Sequence, residues 1–411
     1  MTTMAIDKKV LKSSIEREQN ELARSAEREK IKGLKNLNVP PLRFPEFQGK
    51  WEKKRISEFC TLLKGTGISK DQLSTNGKPC ILYGELYTKY KAEIINEVLS
   101  CTELDANTLV KSKVNDVIIP CSGETAIDIA TARCIPFDDV LLGGDLNILR
   151  SNKVNGSFLA YQLNGKRKYD IARVAQGVSV VHLYGEHLNN IVISLPVIEE
   201  QQKISRLLHL LDERIATQNK IIEDLKKLKS AISESLFKDI KGDIVMLSEI
   251  CEITKGKQIN GEFLSEKGKY YVMNGGTEPS GYYNIYNVEA NTISISEGGN
   301  SCGYVQFNTS PFWSGGHCYT IQKIADNVDN LYLYHFLKSK EDAIMKLRIG
   351  SGLPNIQKKD LAIFKIKIPT VEQQKAISTF LSSLEKKAEI EERIQNAMLK
   401  EKLYLLQQMF I

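Results

Sequence analysis

The chain repeats itself, and this limits its possible folds more than any other feature. Residues 196–237 and 369–410 align without a gap at an offset of 173, and eleven of the 42 positions are identical. The matches include Pro196/Pro369, Glu199/Glu372, Gln201/Gln374, Ile204/Ile377, Ser205/Ser378, Leu208/Leu381, Leu211/Leu384 and Phe237/Phe410. Just upstream, Tyr161-Gln-Leu163 parallels Tyr334-His-Phe336, and the pattern Leu188-x-x-Ile191-x-Ile193-x-Leu195-Pro196 parallels Leu361-x-x-Phe364-x-Ile366-x-Ile368-Pro369. Each half opens on another match at the larger offset of 191, where Ile56-Ser-Glu-Phe-Cys-x-Leu-x-Lys-Gly65 echoes Leu247-Ser-Glu-Ile-Cys-x-Ile-x-Lys-Gly256. Two tandem copies of one unit follow, alike at their ends and different in their middles. The 411 residues also exceed the ~250–300 at which one core stops growing.

Each copy ends in a segment with helical periodicity. Ile204, Leu208, Leu211, Ile215, Ile222, Leu225, Ile232 and Leu236 form a stripe at 3-4 spacing, and Ile377, Leu381, Leu384, Ala388, Met398, Leu405 and Met409 form its counterpart. Pro196 stands just ahead, where its missing N–H costs least, and no Gly or Pro follows until Gly242. The spacing predicts two helices of roughly 55–60 Å each. A striped helix needs something to bury the stripe. Either each lies on its own domain, or the two pack together as a coiled coil, which pseudo-two-fold symmetry makes antiparallel. The polar positions Gln218/Glu391 and Lys229/Lys402 suit register control or a solvated edge.

The intervening parts carry short β-branched runs such as Asp116-Val-Ile-Ile-Pro120, Leu146-Asn-Ile-Leu149, Thr292-Ile-Ser-Ile-Ser296 and Cys318-Tyr-Thr-Ile321, with shorter helical patterns at 156–165 and 331–339. The predicted fold class is α+β: two mixed α/β domains in a pseudo-two-fold repeat, joined by two long antiparallel coiled-coil helices. The boundaries are an extension at 1–43, a first domain at 44–195, a first helix at 196–240, a second domain at 241–368 and a second helix at 369–411.

Composition excludes several classes. At 42% apolar and 26% charged residues the chain is an ordinary globular one. Its charge is concentrated at the start: residues 1–43 hold ten Lys/Arg against six Asp/Glu, leaving 46 against 44 for the rest. Bulk charge therefore announces no nucleic-acid partner, and any basic surface is local. No stretch reaches the ~20 apolar residues of a membrane span and no signal sequence opens the chain, so a cytoplasmic location without membrane contact is expected. The eight cysteines never form CxxC and read as buried thiols; the five histidines show no ligand spacing, so no metal site is expected. Gly65-Thr-Gly-Ile-Ser-Lys70 lacks phosphate-loop spacing, and Ser310-Pro-Phe-Trp313 lacks the second proline of an amino-methyltransferase element. No catalytic residues are assigned.

Binding chemistry is concentrated in loops. In the second copy these are Asn274-Gly-Gly-Thr277 with Gly281-Tyr-Tyr283, Ser296-Glu-Gly-Gly-Asn-Ser301 and Ser314-Gly-Gly-His317; in the first they are Pro120-Cys-Ser-Gly-Glu-Thr125, Gly143-Gly-Asp145 and Gln176-Gly-Val-Ser179. Small residues admit close backbone approach, and Asn or Gln pairs with adenine edges while Ser and Thr reach several bases. Lys64 and Lys255, each followed by glycine, suit phosphate contact. Ordinary turns remain the alternative for each loop.

The whole pattern resembles the specificity (S) subunit of type I restriction-modification enzymes. The residues that carry it are Val39-Pro-Pro-Leu-Arg-Phe-Pro-Glu-Phe47 with Trp51-Glu52, the Leu-Pro-x-x-Glu-x-Gln pattern at 195–201 with its echo at 368–374, and Asn274-Gly-Gly with Gly281-Tyr-Tyr283. Together they cover 39–411; the charged extension before them departs from the usual short start, and its role is open. The resemblance implies a non-catalytic reader of double-stranded DNA in which each domain is a target recognition domain for one half of an interrupted site. The helices would set the spacer, with domains held about one turn of DNA, ~34–36 Å, apart. They would also bind two methyltransferase (modification) subunits, with Glu199, Gln201, Glu372 and Gln374 as partner-binding candidates. Cofactors would be absent from this chain: S-adenosylmethionine, ATP and Mg²⁺ would belong to the modification subunits and to separate restriction (motor and nuclease) subunits. The DNA-binding candidates are Lys64, Thr66, Lys70, Ser122, Thr125, Gln176 and Ser179 in the first domain. In the second they are Lys255, Lys257, Gln258, Asn274, Thr277, Tyr282, Asn300, Ser351 and Asn355. The alternative reading is a tandem protein-interaction scaffold, or an S-like subunit of another defence system.

Overall fold

A computed structural model of the chain describes residues 38–177, 179–350, 352 and 354–411. Most of the expected extension, residues 1–37, and the candidate Ser351 lie outside the described residues. Two compact units result: one contains the described residues up to Thr217 together with Gln395–Ile411, the other the described residues of Gln218–Ile394. Each unit therefore combines one globular part with a stretch of both long helices.

In the first unit a four-stranded antiparallel sheet has the order Thr61–Lys64, Leu146–Arg150, Asp116–Pro120, Arg133–Ile135. Its strands read as continuous apolar runs because both faces are covered. Val117, Ile119 and Leu149 join Phe158 and Tyr161 in one core, while Ile118, Leu146 and Ile148 join Ile81 and Leu86 in another. A second sheet orders Leu73–Ser74, Ser100–Thr102, Lys78–Ile81 and Leu141–Leu142, its last pair parallel. The ribbon Glu52–Arg55 with Val192–Leu195 brings the two ends of the globular part together.

The second unit repeats this plan with different filling. Its main sheet orders Glu252–Lys255, Cys318–Gln322, Thr292–Ser296, Val305–Asn308. Here the sequence alternates: Ile293 and Ile295 face the core, while Ser294 on the opposite face accepts a 2.9 Å hydrogen bond from the Asn308 amide. The ribbon Asp243–Met246 with Lys365–Ile368 and the parallel pair Tyr270–Met273 with Trp313–Ser314 take the places of their first-unit counterparts.

The long helices span Ile198–Asp239 and Val371–Gln408, 42 and 38 residues, or about 63 and 57 Å. They pack on each other in both units. In the second unit the Gln218 amide donates to Glu391 at 2.7 Å, Lys226 meets Glu392 at 2.6 Å and Lys229 meets Glu385 at 2.6 Å; in the first, Lys402 meets Asp212 at 2.6 Å. Numbering rises along one helix as it falls along the other, so the pairing is antiparallel. The tip of each helix also completes a core. Phe410 is buried in the first unit with its ring 5.2 Å from Phe158, and Phe237 is buried in the second, 5.3 Å from Phe336.

One expectation is corrected at the helix starts. Gln201 and Gln374 are buried, and both ends of each amide are used within the chain. Their nitrogens donate to the carbonyls of Pro196 and Pro369, and their oxygens accept from the N–H groups of Asn155 and Asp329. Asn155 and Asp329 in turn cap the helices Gly156–Asn164 and Asn330–Ser339. The repeated glutamine thus ties the globular part to the long helix and presents nothing to a partner, whereas Glu199 and Glu372 are exposed. The neighbouring Glu200 is fully buried; it accepts two hydrogen bonds from Arg43, at 2.8 and 2.7 Å, and one from the Trp51 indole at 3.3 Å. This accounts for the Arg43 and Trp51 of the opening motif.

Candidate nucleic-acid interface

Both units build the same crossing from their Lys-Gly pair. A strand ends on the lysine, and the following glycine passes a Gly-Gly loop so closely that a Cβ at Gly65 would lie 1.9 Å from the Gly143 carbonyl and one at Gly256 2.2 Å from the Gly315 carbonyl. The backbone bonds agree: Gly65 N donates to Leu146 O and Thr66 N to Leu142 O; Gly256 N donates to Cys318 O and Lys257 N to Ser314 O. Only glycine permits this approach, and it places each lysine beside the loop sequence singled out as binding chemistry.

In the first unit Cys121 N donates to Asp145 O, and the Ser122 hydroxyl donates to Asp145 Oδ2 at 3.0 Å. Ser122–Gly123 pairs with Val181–His182, and this brings in the loop bearing Gln176 and Ser179, both exposed. Lys70, Ser122 and Ser179 line one cleft of about 770 Å³ together with Tyr83 and Tyr87. Lys64 and Lys70 are exposed and make no ion pair among the described residues. Two candidates serve structure instead: the Thr66 hydroxyl accepts from Val110 N at 2.8 Å, and Thr125 caps the short helix Ala126–Ile129 while donating to Asp128 at 2.6 Å.

The second unit draws its loops together more tightly. The Gly275 carbonyl accepts from both Ser296 and Ser301, at 2.8 and 2.6 Å, and Asn274 Oδ1 accepts from His317 N. Gly298 bridges to Asn355, whose backbone also pairs with Ile349. Lys257, Gln258, Thr277, Asn300 and Asn355 are exposed around these loops. Tyr282 stays in the ribbon Gly281–Tyr283, its backbone bonded to Ser265. Lys255 is not free: it meets the buried Glu297 at 2.7 Å, and Glu297 also accepts from the Tyr319 hydroxyl at 3.0 Å with His317 3.5 Å away. Burial and the Glu297 carboxylate push the Tyr319 phenol well above its ordinary range. Strand register puts Cys121 where the second unit has Glu297, so Lys64 has no such carboxylate. Sequence spacing did not reveal Glu297; its place in a Ser-Glu-Gly-Gly loop was the only signal.

Ser310-Pro-Phe-Trp313 is structural: Phe312 is buried and stacks on Tyr271 at 5.5 Å, and the Trp313 indole donates to Lys257 O. All eight cysteines are free thiols. Among the described residues no His, Cys, Asp or Glu group is arranged to hold a metal, and no helix is long and apolar enough to cross a membrane.

Known proteins share this plan. A putative type I specificity subunit of Mycoplasma pneumoniae is 35% identical over 138 residues, which is 33% of this chain and 36% of that protein. The type I restriction enzyme MjaVIII specificity subunit of Methanocaldococcus jannaschii is 24% identical over 398 residues, 86% and 89% of the two chains. In fold, the chain is similar to the crystal structure of the type I restriction-modification system S subunit from M. genitalium, with a TM-score of 0.66 at 18% identity, covering 91% of this chain and 99% of that one. The sequence model for the type I restriction modification DNA specificity domain matches twice, at 48–227 and 241–400. The paired crossings and the two domain matches coincide, and the chain belongs to the type I restriction-modification DNA specificity family.

Proposed function

We propose that this chain reads a bipartite DNA target for a type I restriction-modification complex and catalyses nothing itself. The observation that carries the reading is the duplicated Lys-Gly crossing: one scaffold, built twice, presents two unlike sets of Gly, Ser, Asn and Lys loops. A repeated frame with different reading surfaces suits two different half-sites. Lys64, Lys70 and Lys257 supply phosphate contacts; Gln176 and Ser179 on one side and Gln258, Asn274, Asn300 and Asn355 on the other are the base-contact candidates, with the buried Ser122 bracing the first set through Asp145. The two long helices set the number of unread bases, and the exposed Glu199 and Glu372 belong to surfaces for two modification subunits. Those partners supply S-adenosylmethionine, and restriction subunits supply ATP- and Mg²⁺-dependent translocation and cleavage. The setting is the cytoplasm.

The test is a footprint of the full chain assembled with its modification subunits. Two protected half-sites with a fixed gap are expected, and exchanging residues 44–195 for the equivalent part of another member should change one half-site only. Unchanged protection after that exchange, or DNA affinity independent of salt, rejects the reading in favour of a protein-interaction scaffold.

A further inference from the structure

The offset of 173 relates two clefts, one in each unit, whose chemistry differs. In the first unit a cleft of about 740 Å³ lies between residues 164–169 and 399–407. Five cations line it, Lys91, Arg133, Lys166, Lys168 and Lys402, against one carboxylate, Glu93. Lys402 is ion-paired with Glu93 and Asp212, and the buried Arg133 guanidinium donates to the main-chain carbonyls of Leu86, Ala132 and Tyr90 in the field of the same two carboxylates. Burial and the positive charge of Arg133 hold the Lys168 ammonium below its ordinary range. The helix wall at 399–407 carries exposed apolar side chains, Leu399 at 41% and Leu403 at 60%, one turn apart on one helix face, and Tyr169, 70% exposed, stands on the other wall beside Lys168.

The second unit has a cleft of about 460 Å³ at the corresponding positions. Lys226, Ser230 and Ser233 stand there in place of Leu399, Leu403 and Leu406, and Glu341 and Asp342 in place of Lys168 and Tyr169. The leucine wall is not repeated, and the charge is nearly balanced, Lys226, Lys229, Lys338 and Lys340 standing against Glu234, Glu341 and Asp342.

We propose that the first-unit cleft docks an acidic amphipathic helical segment of a partner protein, once per chain. An apolar ridge on such a helix meets Leu399, Leu403 and Tyr169 while its acidic flank meets Lys91 and Lys168, the mode in which a helix lies in a groove and charge fixes its register. Residues 1–37 of this chain do not suit it, because their nine Lys/Arg against six Asp/Glu carry the sign of the cleft itself. A DNA backbone has no use for an exposed leucine wall. A partner that reads the duplicated features engages both units, whereas this contact distinguishes one from the other and so gives a pseudo-symmetric subunit a direction. The proposal does not depend on DNA reading.

The probes are a synthetic helix with Leu at i, i+4 spacing flanked by Glu, the same helix with Lys for Glu, and random duplex DNA, each titrated into the full chain by fluorescence anisotropy. The acidic helix should bind one to one and weaken with salt, while the basic helix should not bind. Leu403→Glu and Lys168→Glu should each weaken binding at least about tenfold, and Ser230→Leu in the second unit should leave it unchanged. Circular dichroism establishes that each variant is folded, and the footprint of the assembled complex should survive Leu403→Glu, which separates this contact from the reading of half-sites. No saturable binding of the acidic helix, or binding indifferent to both first-unit variants, overturns the proposal. So does displacement of the helix by duplex DNA that itself loses affinity in those variants, which assigns the cleft to nucleic acid.

Discussion

Two lysines in equivalent places do different work. Lys64 is unpaired among the described residues, whereas Lys255 is held by Glu297 at 2.7 Å. Lys64→Gln should therefore weaken DNA binding about equally for all sequences and lower the salt slope by about 1, measured as log affinity against log salt for the assembled complex. Lys255→Gln should act chiefly on the second unit by leaving a buried carboxylate short of its partner, read as a lower melting temperature. Equal salt slopes for Lys64→Gln and the parent would remove Lys64 from the phosphate contacts. The repeated Lys-Gly was legible in the sequence because it is local; Glu297 was not, because 42 residues and a sheet crossing separate it from Lys255. A buried histidine shows the same limit. His335 is 2% exposed with Nε2 2.9 Å from the Ser382 hydroxyl, and burial lowers its pKa to about 4. Its folded value lies below the ordinary 6.5, so the unfolded chain takes up a proton first as pH falls. The neutral histidine costs nothing above about pH 6.5, and stability is lost between about 6.5 and 4, by on the order of 3 kcal/mol in all. The first unit has Gln162 at the matching position, so His335→Gln should flatten the acid limb of a melting-temperature profile for the second unit; an unaltered limb would place the acid sensitivity elsewhere.

At the scale of elements, the helix pair is fastened by two tyrosine–carboxylate–lysine sets at repeat-related positions. In the first unit the Tyr161 hydroxyl donates to Asp212 at 2.7 Å and Lys402 binds Asp212 and Glu93; in the second Tyr334 donates to Glu385 at 3.1 Å and Lys229 binds Glu385. The apolar stripes and the recurring Lys229/Lys402 were legible, and they sufficed to predict helices that need a partner. Which carboxylate each lysine meets was not, because the pairing joins residues 156 to 309 positions apart. Burial separates the two sets energetically. The Lys402 side chain is 12% exposed and its carboxylates less, whereas Lys229 and Glu385 are 22% and 32% exposed. Lys402→Met leaves two buried carboxylates unpaired and should cost about 3–5 kcal/mol; Lys229→Met should cost about 1 kcal/mol or less. Denaturant melts of the two variants decide this, and equal losses would mean that burial does not govern the pairing.

In the whole molecule, the repeat shows that Phe237 and Phe410 are equivalent but not which core each enters. The alignment is satisfied whether a helix tip returns to its own copy or enters the other, and only the packing decides. The structure puts the last residues of the chain into the unit that holds the first described ones: Leu406, Met409 and Phe410 share a core with Trp51, Phe158 and Tyr161. Removing residues 405–411 should therefore destabilise the amino-terminal unit. Three buried side chains at about 1.5–3 kcal/mol each approach the entire stability of an ordinary domain, about 5–15 kcal/mol. Among the described residues the second core includes Phe237 and Leu381 and no side chain beyond Leu384, so the second unit should keep its transition. The chain's two tryptophans separate the signals, Trp51 lying in the first core and Trp313 in the second unit. In a Trp313→Phe background the truncated chain should show Trp51 in a solvated environment well below the parental transition. In a Trp51→Phe background Trp313 should report a transition close to the parental one. If both transitions fall together, the tip of the second helix supports more than the core that encloses it.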